Sequence, residues 1–329
     1  MRVGLVYDLF EHFDWQPDDP EDADAELEPE ETVAALEAAF GILGHEVVRI
    51  GPVRHFIRQM SSLHLDVAMS IAEIGRTRNR EAYAPVLFEL VGIPHLGSDA
   101  LTLSLSVDKV WTKELVALTG VPCPPHWIAP YGNAKLPEIL KELFPLFVKP
   151  RYEGTAKGIL PSSKVFNEGQ LRIEIDRIHT LYRQDALIEP FISGSEFTVA
   201  VVGNYPAKAL PVLQRAVEKK TGIGLHVLER KGVPQANWAY ELPGLLTPEL
   251  EQRLQDLAIR AYEKIDVKDF ARVDFRVDDT GKPWFLEVNT LPTFAPDGSF
   301  AILAELMGQS YETWLADVLS AGLQRLGLS

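Results

Sequence analysis

The 329-residue sequence predicts an α/β protein, α+β in parts, whose N-terminal region builds a parallel sheet. Three observations predict it. Apolar runs of strand length alternate with amphipathic helical stretches over the first third of the chain, the pattern of βαβ units. Further on, strand-like runs follow one another and long helical stretches cover them, as in a mixed α+β unit. The length implies two or three compact units, and Val121-Pro-Cys-Pro-Pro125 is a stiff connector after the first of them.

In order, residues 3–7 read as a strand, 31–43 as a helix stopped by Gly44, 46–50 as a strand, 53–60 as a helix and 66–70 as a strand. A helix near 81–91 contains Pro85, so it either begins or kinks there. Residues 109–118 form a helix ended by Gly120. Beyond the connector come a strand at 126–129, a helix at 137–143, a strand at 146–149, a polar loop, a helix at 168–182 and a strand at 186–191. Strands at 196–202 and 208–213 and a hairpin at 271–289 follow, covered by helices at 248–265 and 311–326.

Composition narrows the function. A net charge of −15 argues against a nucleic-acid partner, since phosphate neutralisation needs a basic surface. No apolar run is long enough to cross a bilayer, and the N-terminus turns acidic too soon for a signal peptide. A cytoplasmic protein with no membrane partner is therefore expected. The single cysteine, Cys123, excludes disulfides within the chain and a cysteine-based metal site. Much of the negative charge lies in residues 18–31, read as a mobile, solvated loop before the first helix, with a lid as the second reading. No Gly-x-Ser-x-Gly elbow and no Gly-x-Gly-x-x-Gly after the first strand is present, which argues against a serine hydrolase and a dinucleotide enzyme.

The most informative segment is Ala271-Arg-Val-Asp-Phe-Arg-Val-Asp-Asp-Thr-Gly-Lys-Pro-Trp-Phe-Leu-Glu-Val-Asn289. Val273, Phe275 and Val277 alternate with Arg272, Asp274 and Arg276, the period of a half-buried strand. Asp279-Thr-Gly-Lys282 supplies turn chemistry, which sets Asp274 opposite Glu287 and Arg272 opposite Asn289. Cross-strand charge pairing accounts for the same alternation. Thr290-Leu-Pro292 then stops the strand just past the amide, at a strand end where ligands bind. Two carboxylates and an amide are hard oxygen donors, suited to Mg²⁺ or Mn²⁺ carried on nucleotide phosphates.

Two further segments carry weaker signals. Phe147-Val-Lys-Pro-Arg-Tyr-Glu-Gly-Thr-Ala-Lys-Gly158 puts Lys149 at a strand end before a loop whose glycines let amides approach phosphate; a flexible surface turn is the alternative. Leu187-Ile-Glu-Pro-Phe-Ile-Ser-Gly-Ser-Glu-Phe-Thr-Val199 presents Glu189 and Glu196 across a linker between two strands, a place to grip an adenosine, or else two solvated acids beside a turn.

Taken in order, these segments resemble the ATP-grasp superfamily, and within it the D-alanine–D-alanine ligases. Gly92-Ile-Pro-His-Leu-Gly-Ser98, Asp108-Lys109, Val148-Lys-Pro150, Ser193-Gly-Ser-Glu-Phe-Thr-Val199, Ala271-Arg-Val-Asp-Phe275 and Glu287-Val-Asn-Thr-Leu-Pro292 carry the resemblance over roughly residues 90–327. It implies a three-domain ATP-grasp architecture: a substrate domain at 1–107, a central domain at 108–192, and a C-terminal domain at 193–329 holding the hairpin. It implies a ligase that forms C–N bonds from amino acids or small carboxylic acids, in peptidoglycan synthesis, as a cytoplasmic homodimer. By resemblance, Lys109 and Lys149 hold ATP phosphates and the loop Glu153-Gly154-Thr155 to Gly158 closes over them. Glu189 binds the ribose, Glu196 lies in the nucleotide cleft and Lys231 contacts the γ-phosphate. Asp274, Glu287 and Asn289 hold the metal, while Arg272, Thr155 and Ser299 serve catalysis.

Departures cluster on the substrate side. The family's Gly-Gly-x-Ser-x-Glu segment is not visible, and Tyr7-Asp-Leu-Phe-Glu11 with the acidic stretch stands in its place. Glu73-Ile-Gly-Arg76 replaces the family's His-Gly pattern, Gly232 stands for a tyrosine, and Thr293 for a glycine. The nucleotide and metal residues match, and the residues for the first substrate do not.

Overall fold

The computed structural model describes residues 1–132, 135–224 and 240–328. Its N-terminal sheet is parallel, in the order β2 (Glu46–Gly51), β1 (Arg2–Tyr7), β3 (Val67–Ile71). Both faces of β1 are covered, so the strand is a continuous apolar run rather than an alternating one. Helix α1 (Glu30–Ile42) packs on one face; α2 (Val53–Gln59) and α3 (Tyr83–Val91) pack on the other. Pro85 sits in the first turn of α3, where its missing N–H costs nothing; the helix begins there and is not kinked.

Helix α4 (Ala100–Val107) escaped the sequence reading, although Asp99 caps it by accepting from the Thr102 amide at 2.8 Å. Asp108 then caps α5 (Lys109–Ala117) and takes both Nε and Nη2 of Arg151 at 2.8 Å.

The second sheet is antiparallel, in the order β4 (Trp127–Ala129), β7 (Ala186–Pro190), β5 (Leu146–Pro150), β6 (Lys164–Val165), backed by α6 (Glu168–Tyr182). The expected helix at 137–143 is a 3₁₀ turn, Glu138–Glu142, because Pro137 and Pro145 leave room for little more than one turn.

The third sheet runs β10 (Leu213–Arg215), β8 (Ser195–Val202), β13 (Phe270–Val277), β14 (Pro283–Asn289), with β9 (Lys208–Ala209) also on β8. The expected strand at 208–213 is broken in two, since Pro211 has no amide for the ladder and Val212 turns its own to Glu251 Oε1 at 3.0 Å. Two short strands, β11 (Val217–Glu218) and β12 (Tyr240–Glu241), pair beside it. Helix α7 (Pro248–Lys264) lays Leu254, Leu257, Ala261 and Tyr262 against Val199, Val273 and Phe275. The hairpin has the expected register, Arg272 with Asn289 and Asp274 with Glu287. A bulge after Asp274 then shifts Phe275 opposite Phe285, a detail that the alternation alone did not reveal.

Helices α8 (Ser299–Leu306), not expected, and α9 (Tyr311–Arg325) return to the first sheet, where Leu315, Leu319 and Leu323 join Val3, Leu5 and Phe40 in one core. Buried Asp269 ties this return by accepting from Arg325 Nε at 2.7 Å, the Gly97 amide at 2.8 Å and Asn204 at 2.8 Å. A Cβ on Gly322 would lie 2.6 Å from Leu96 and 2.8 Å from Asp269 Oδ2. Gly322→Ala is thus expected to destabilise the fold by about 1–3 kcal/mol despite alanine's better helix propensity. Urea denaturation reads this, and a stabilised variant would show that α9 has slack.

The acidic stretch is not the solvated loop expected. Residues 18–28 form a strap that returns along the end of β1, where the Glu28 amide donates to the Asp8 carbonyl at 3.2 Å. Glu26, Leu27 and Glu28 are buried. The strap's carboxylates find cations and amides from distant parts of the chain, which local composition does not disclose.

Candidate active site

The hairpin delivers four of the predicted residues to one place. Arg272 donates from Nε to both oxygens of Asp274 at 3.2 Å and from Nη2 at 3.1 Å. Asn289 Nδ2 reaches the same carboxylate at 3.1 Å, and Thr198 donates to it at 2.8 Å from neighbouring β8. Burial works against the Arg272 charge, yet Asp274, Glu287 and Glu196 outweigh it and hold its pKa above the usual value. On the facing strand, Glu287 lies 3.3 Å from Lys109 Nζ. Burial would raise the Glu287 pKa, but Lys109, Lys149 and Arg272 bring it down to about 2.

Helix α5 and the second sheet supply the lysines. Lys109, the first residue of α5, also donates to the Glu153 carbonyl. One turn on, Lys113 is wholly buried, donating to the Leu286 carbonyl at 2.6 Å and facing Glu189 Oε1 at 2.9 Å. Lys149 on β5 faces the other Glu189 oxygen at 3.0 Å. Against the cost of burial, the two ammonium groups hold Glu189 down to about 2. The sequence reading missed Lys113. Its spacing from Lys109, i and i+4 on one helix face, was the signal available.

The loop after β5 meets the strap. Glu26 accepts from the Gly154 amide at 2.7 Å and pairs with Arg80 and with Lys157 at 3.5 Å. Asp22 accepts from the Gly158 amide at 2.8 Å and from Tyr182 at 2.7 Å. Glu153 is held by Lys157 at 3.0 Å and Gln184 at 2.6 Å. Thr155 and Ala156 both adopt positive φ, 47° and 58°, a strained conformation for a β-branched residue.

Two cavities flank the hairpin. A slot of about 120 Å³ between the second and third sheets has apolar walls from Phe147, Ile159, Phe191, Ile223 and Leu286, and Lys149, Asp274 and Glu287 at its polar end. Glu196 lines it too, held among the described residues by Arg276 alone, at 3.3 Å. The β7–β8 linker beside it turns at Gly194, φ 102°, where a Cβ would strike the Val277 carbonyl at 2.3 Å. The other cavity, about 820 Å³, is roofed by the strap and lined by Arg272, Asn289, Thr155, Thr293 and Glu73.

Ser299 stands apart from both cavities at the start of α8. Its hydroxyl accepts from Arg215 at 2.6 Å, and Arg215 Nε donates to Thr198 at 3.1 Å, so it reaches Asp274 only through a chain of contacts. Lys231 lies outside the described residues. His95 packs against Phe88, and burial pushes the Cys123 thiol up to about 11.

Residues 131–320 match the family described as D-ala D-ala ligase C-terminus. The D-alanine–D-alanine ligase of Syntrophotalea carbinolica is 34% identical, over 89% of this chain and 91% of that protein. The chain belongs to the D-alanine–D-alanine ligase family. The ligase of Carboxydothermus hydrogenoformans is 32% identical, over 85% of this chain and 89% of its own. Among solved structures, the D-alanine–D-alanine ligase of Bacillus anthracis complexed with ATP superposes with a TM-score of 0.71 at 21% identity, covering 100% of this chain and 99% of that one. The three-domain ATP-grasp fold expected from the sequence is the fold of this family member. No helix among the described residues is long and apolar enough to cross a membrane.

Proposed function

We propose that this member of the family joins two D-alanine molecules at the expense of ATP, in the cytoplasm and as a homodimer. The observation that carries it is the hairpin quartet standing between an apolar slot and a polar cavity: Asp274 and Glu287 face the slot, Arg272 and Asn289 the cavity. ATP enters the slot with its phosphates towards Lys149 and Lys109. Both oxygens of Glu189 already face ammonium groups, so Glu196 is the carboxylate open to the sugar hydroxyls.

The donor set fits Mg²⁺ or Mn²⁺, since Asp274, Glu287 and Asn289 bring hard oxygens and their charge is now balanced by Arg272 and Lys109. When bound there, the metal supplies charge neutralisation on the phosphates. A carboxylate oxygen of the first substrate displaces ADP from the γ-phosphate, which gives an acyl phosphate. Lys109, Lys149 and Arg272 offset charge on the transferring group, which is mainly positioning and electrostatics. A neutral amine then attacks the activated carbonyl, and phosphate leaves from the tetrahedral adduct. The strap and the 153–158 loop keep water from the acyl phosphate meanwhile.

A second reading has its own observation. The substrate cavity is built from the strap and Glu73, both departures from the family pattern, and this favours a ligase for another pair of small carboxylic or amino acids. ADP release from Mg²⁺-ATP across D- and L-amino acids, singly and paired, with product mass read in parallel, decides between them. D-alanyl-D-alanine establishes the first reading and turnover only with another pair the second. ATP binding without ADP release from any pair overturns both.

A further inference from the structure

We infer that Glu73 is the base that takes the proton from the attacking ammonium group, an assignment that rests on the ligase reading above. Glu73 follows β3 directly, and the backbone there is pinned by buried Asp8 at the end of β1, which accepts from the Ile74 amide at 2.8 Å. From this position Glu73 lines the 820 Å³ cavity with Arg272 and Asn289, and also a recess of about 30 Å³ lined by Lys109 and Glu287. It therefore stands where the space for the substrates meets the space for the phosphates.

Among the described residues Glu26 and Glu28 are engaged whereas Glu73 and Glu81 are not, and of these last two only Glu73 reaches the larger cavity. Glu26 is held by Arg80, Lys157 and the Gly154 amide; Glu28 accepts from Thr32 at 2.8 Å and Thr293 at 3.0 Å. Glu81 lines the recess alone, away from the larger cavity. The Glu73 carboxyl has no hydrogen bond or ion pair among the described residues. The side chain is half-buried, so its carboxyl is open to the cavity it lines and free to meet an entering group.

The charged groups around it set its behaviour. Burial raises its pKa well above the carboxylate range, Glu81, Glu26 and Glu28 raise it further, and Arg80 opposes them. An ammonium entering the cavity favours the ionised carboxylate by direct attraction. The nitrogen has no lone pair while it is an ammonium, so the transfer to Glu73 precedes C–N bond formation, and the acidic surroundings of Glu73 favour its taking that proton.

The protons balance. The amine arrives as R–NH₃⁺ and gives one proton to the Glu73 carboxylate, which frees the lone pair that attacks the acyl phosphate carbonyl. The tetrahedral adduct collapses, the C–O bond to phosphate breaks, and the second proton leaves with phosphate as HPO₄²⁻. The product is the amide, and Glu73 returns its proton to solvent.

Glu73→Gln, which keeps the shape and removes the base, tests the assignment when two acceptors are compared. Hydroxylamine is uncharged at neutral pH and traps an acyl phosphate as a hydroxamate without help from a base. The variant should lose about 10²-fold or more in amide synthesis with an amino-acid acceptor, yet form hydroxamate within about threefold of wild type. Its residual amide synthesis should also climb with pH as the free-amine fraction grows. Equal losses with both acceptors would mean a structural role and overturn the assignment, as would no loss with either. Wild-type enzyme that makes no hydroxamate from any carboxylate tested would instead sink the ligase reading, and the proton role with it.

Discussion

Glu287→Gln is expected to lower kcat by about 10²–10³-fold in a protein that remains folded, the range seen when one preorganised electrostatic group is removed. The substitution is nearly isosteric, so packing around the hairpin is preserved. What is lost is a negative charge that faces Lys109 at 3.3 Å and is held ionised, at a pKa of about 2, by Lys109, Lys149 and Arg272. A neutral amide neither binds a divalent cation as tightly nor restrains Lys109, so both the metal and the phosphate would sit less well. Steady-state ADP release over a range of Mg²⁺ concentrations, with circular dichroism as a check on folding, reads the effect. Unchanged turnover would remove Glu287 from the metal site.

The largest effect on stability is expected at Glu189. Glu189→Gln strands two buried ammonium groups, Lys113 at 2.9 Å and Lys149 at 3.0 Å. Breaking one side of a buried ion pair costs about 3–5 kcal/mol. Acid titration gives a second signature with a definite sign. The folded-state pKa of Glu189 is depressed from 4.5 to about 2, so its contribution is complete above pH 4.5 and is lost as pH falls towards 2. Urea denaturation should therefore show a wide gap between wild type and variant at neutral pH, and one that narrows on acidification through that window. A gap independent of pH would mean that shape, not charge, is what Glu189 contributes.

The hairpin was legible because its signals are local. Alternation of Val273, Phe275 and Val277 sets the strand, and the turn residues after Val277 set the register that brings Asp274 opposite Glu287. Helix α6 was read to its ends because Asn167 caps it and the apolar period runs unbroken. Helices α4 and α8 were missed although Asp99 caps the first of them. Each is eight residues long; α4 alternates leucine with Thr102, Ser104 and Ser106, which is a strand's period, and α8 is too apolar to show a clear helical face.

The candidate site divides in the same way. The residue types for phosphate and metal stand at strand ends and helix starts, where sequence order alone suggests them. Lys113 and Arg215 do not: one is an ordinary helix lysine and the other a strand arginine until burial and neighbours give them work.

By itself, then, the sequence determined the α/β class, the hairpin and its register, the strand-end lysine and the family resemblance, all of which rest on periodicity, turns and order along the chain. Only the tertiary structure decided that the acidic stretch is a strap, since Glu26 meets the Gly154 amide from 128 residues away. It also decided that Glu189 is closed off by two lysines while Glu196 meets only Arg276 among the described residues, and that Glu73, without a partner among those residues, lines two cavities. The physical reason is that an ionisable side chain's energy depends on burial and on which charges surround it. Those are properties of packing between segments far apart in the chain, and no local pattern encodes them.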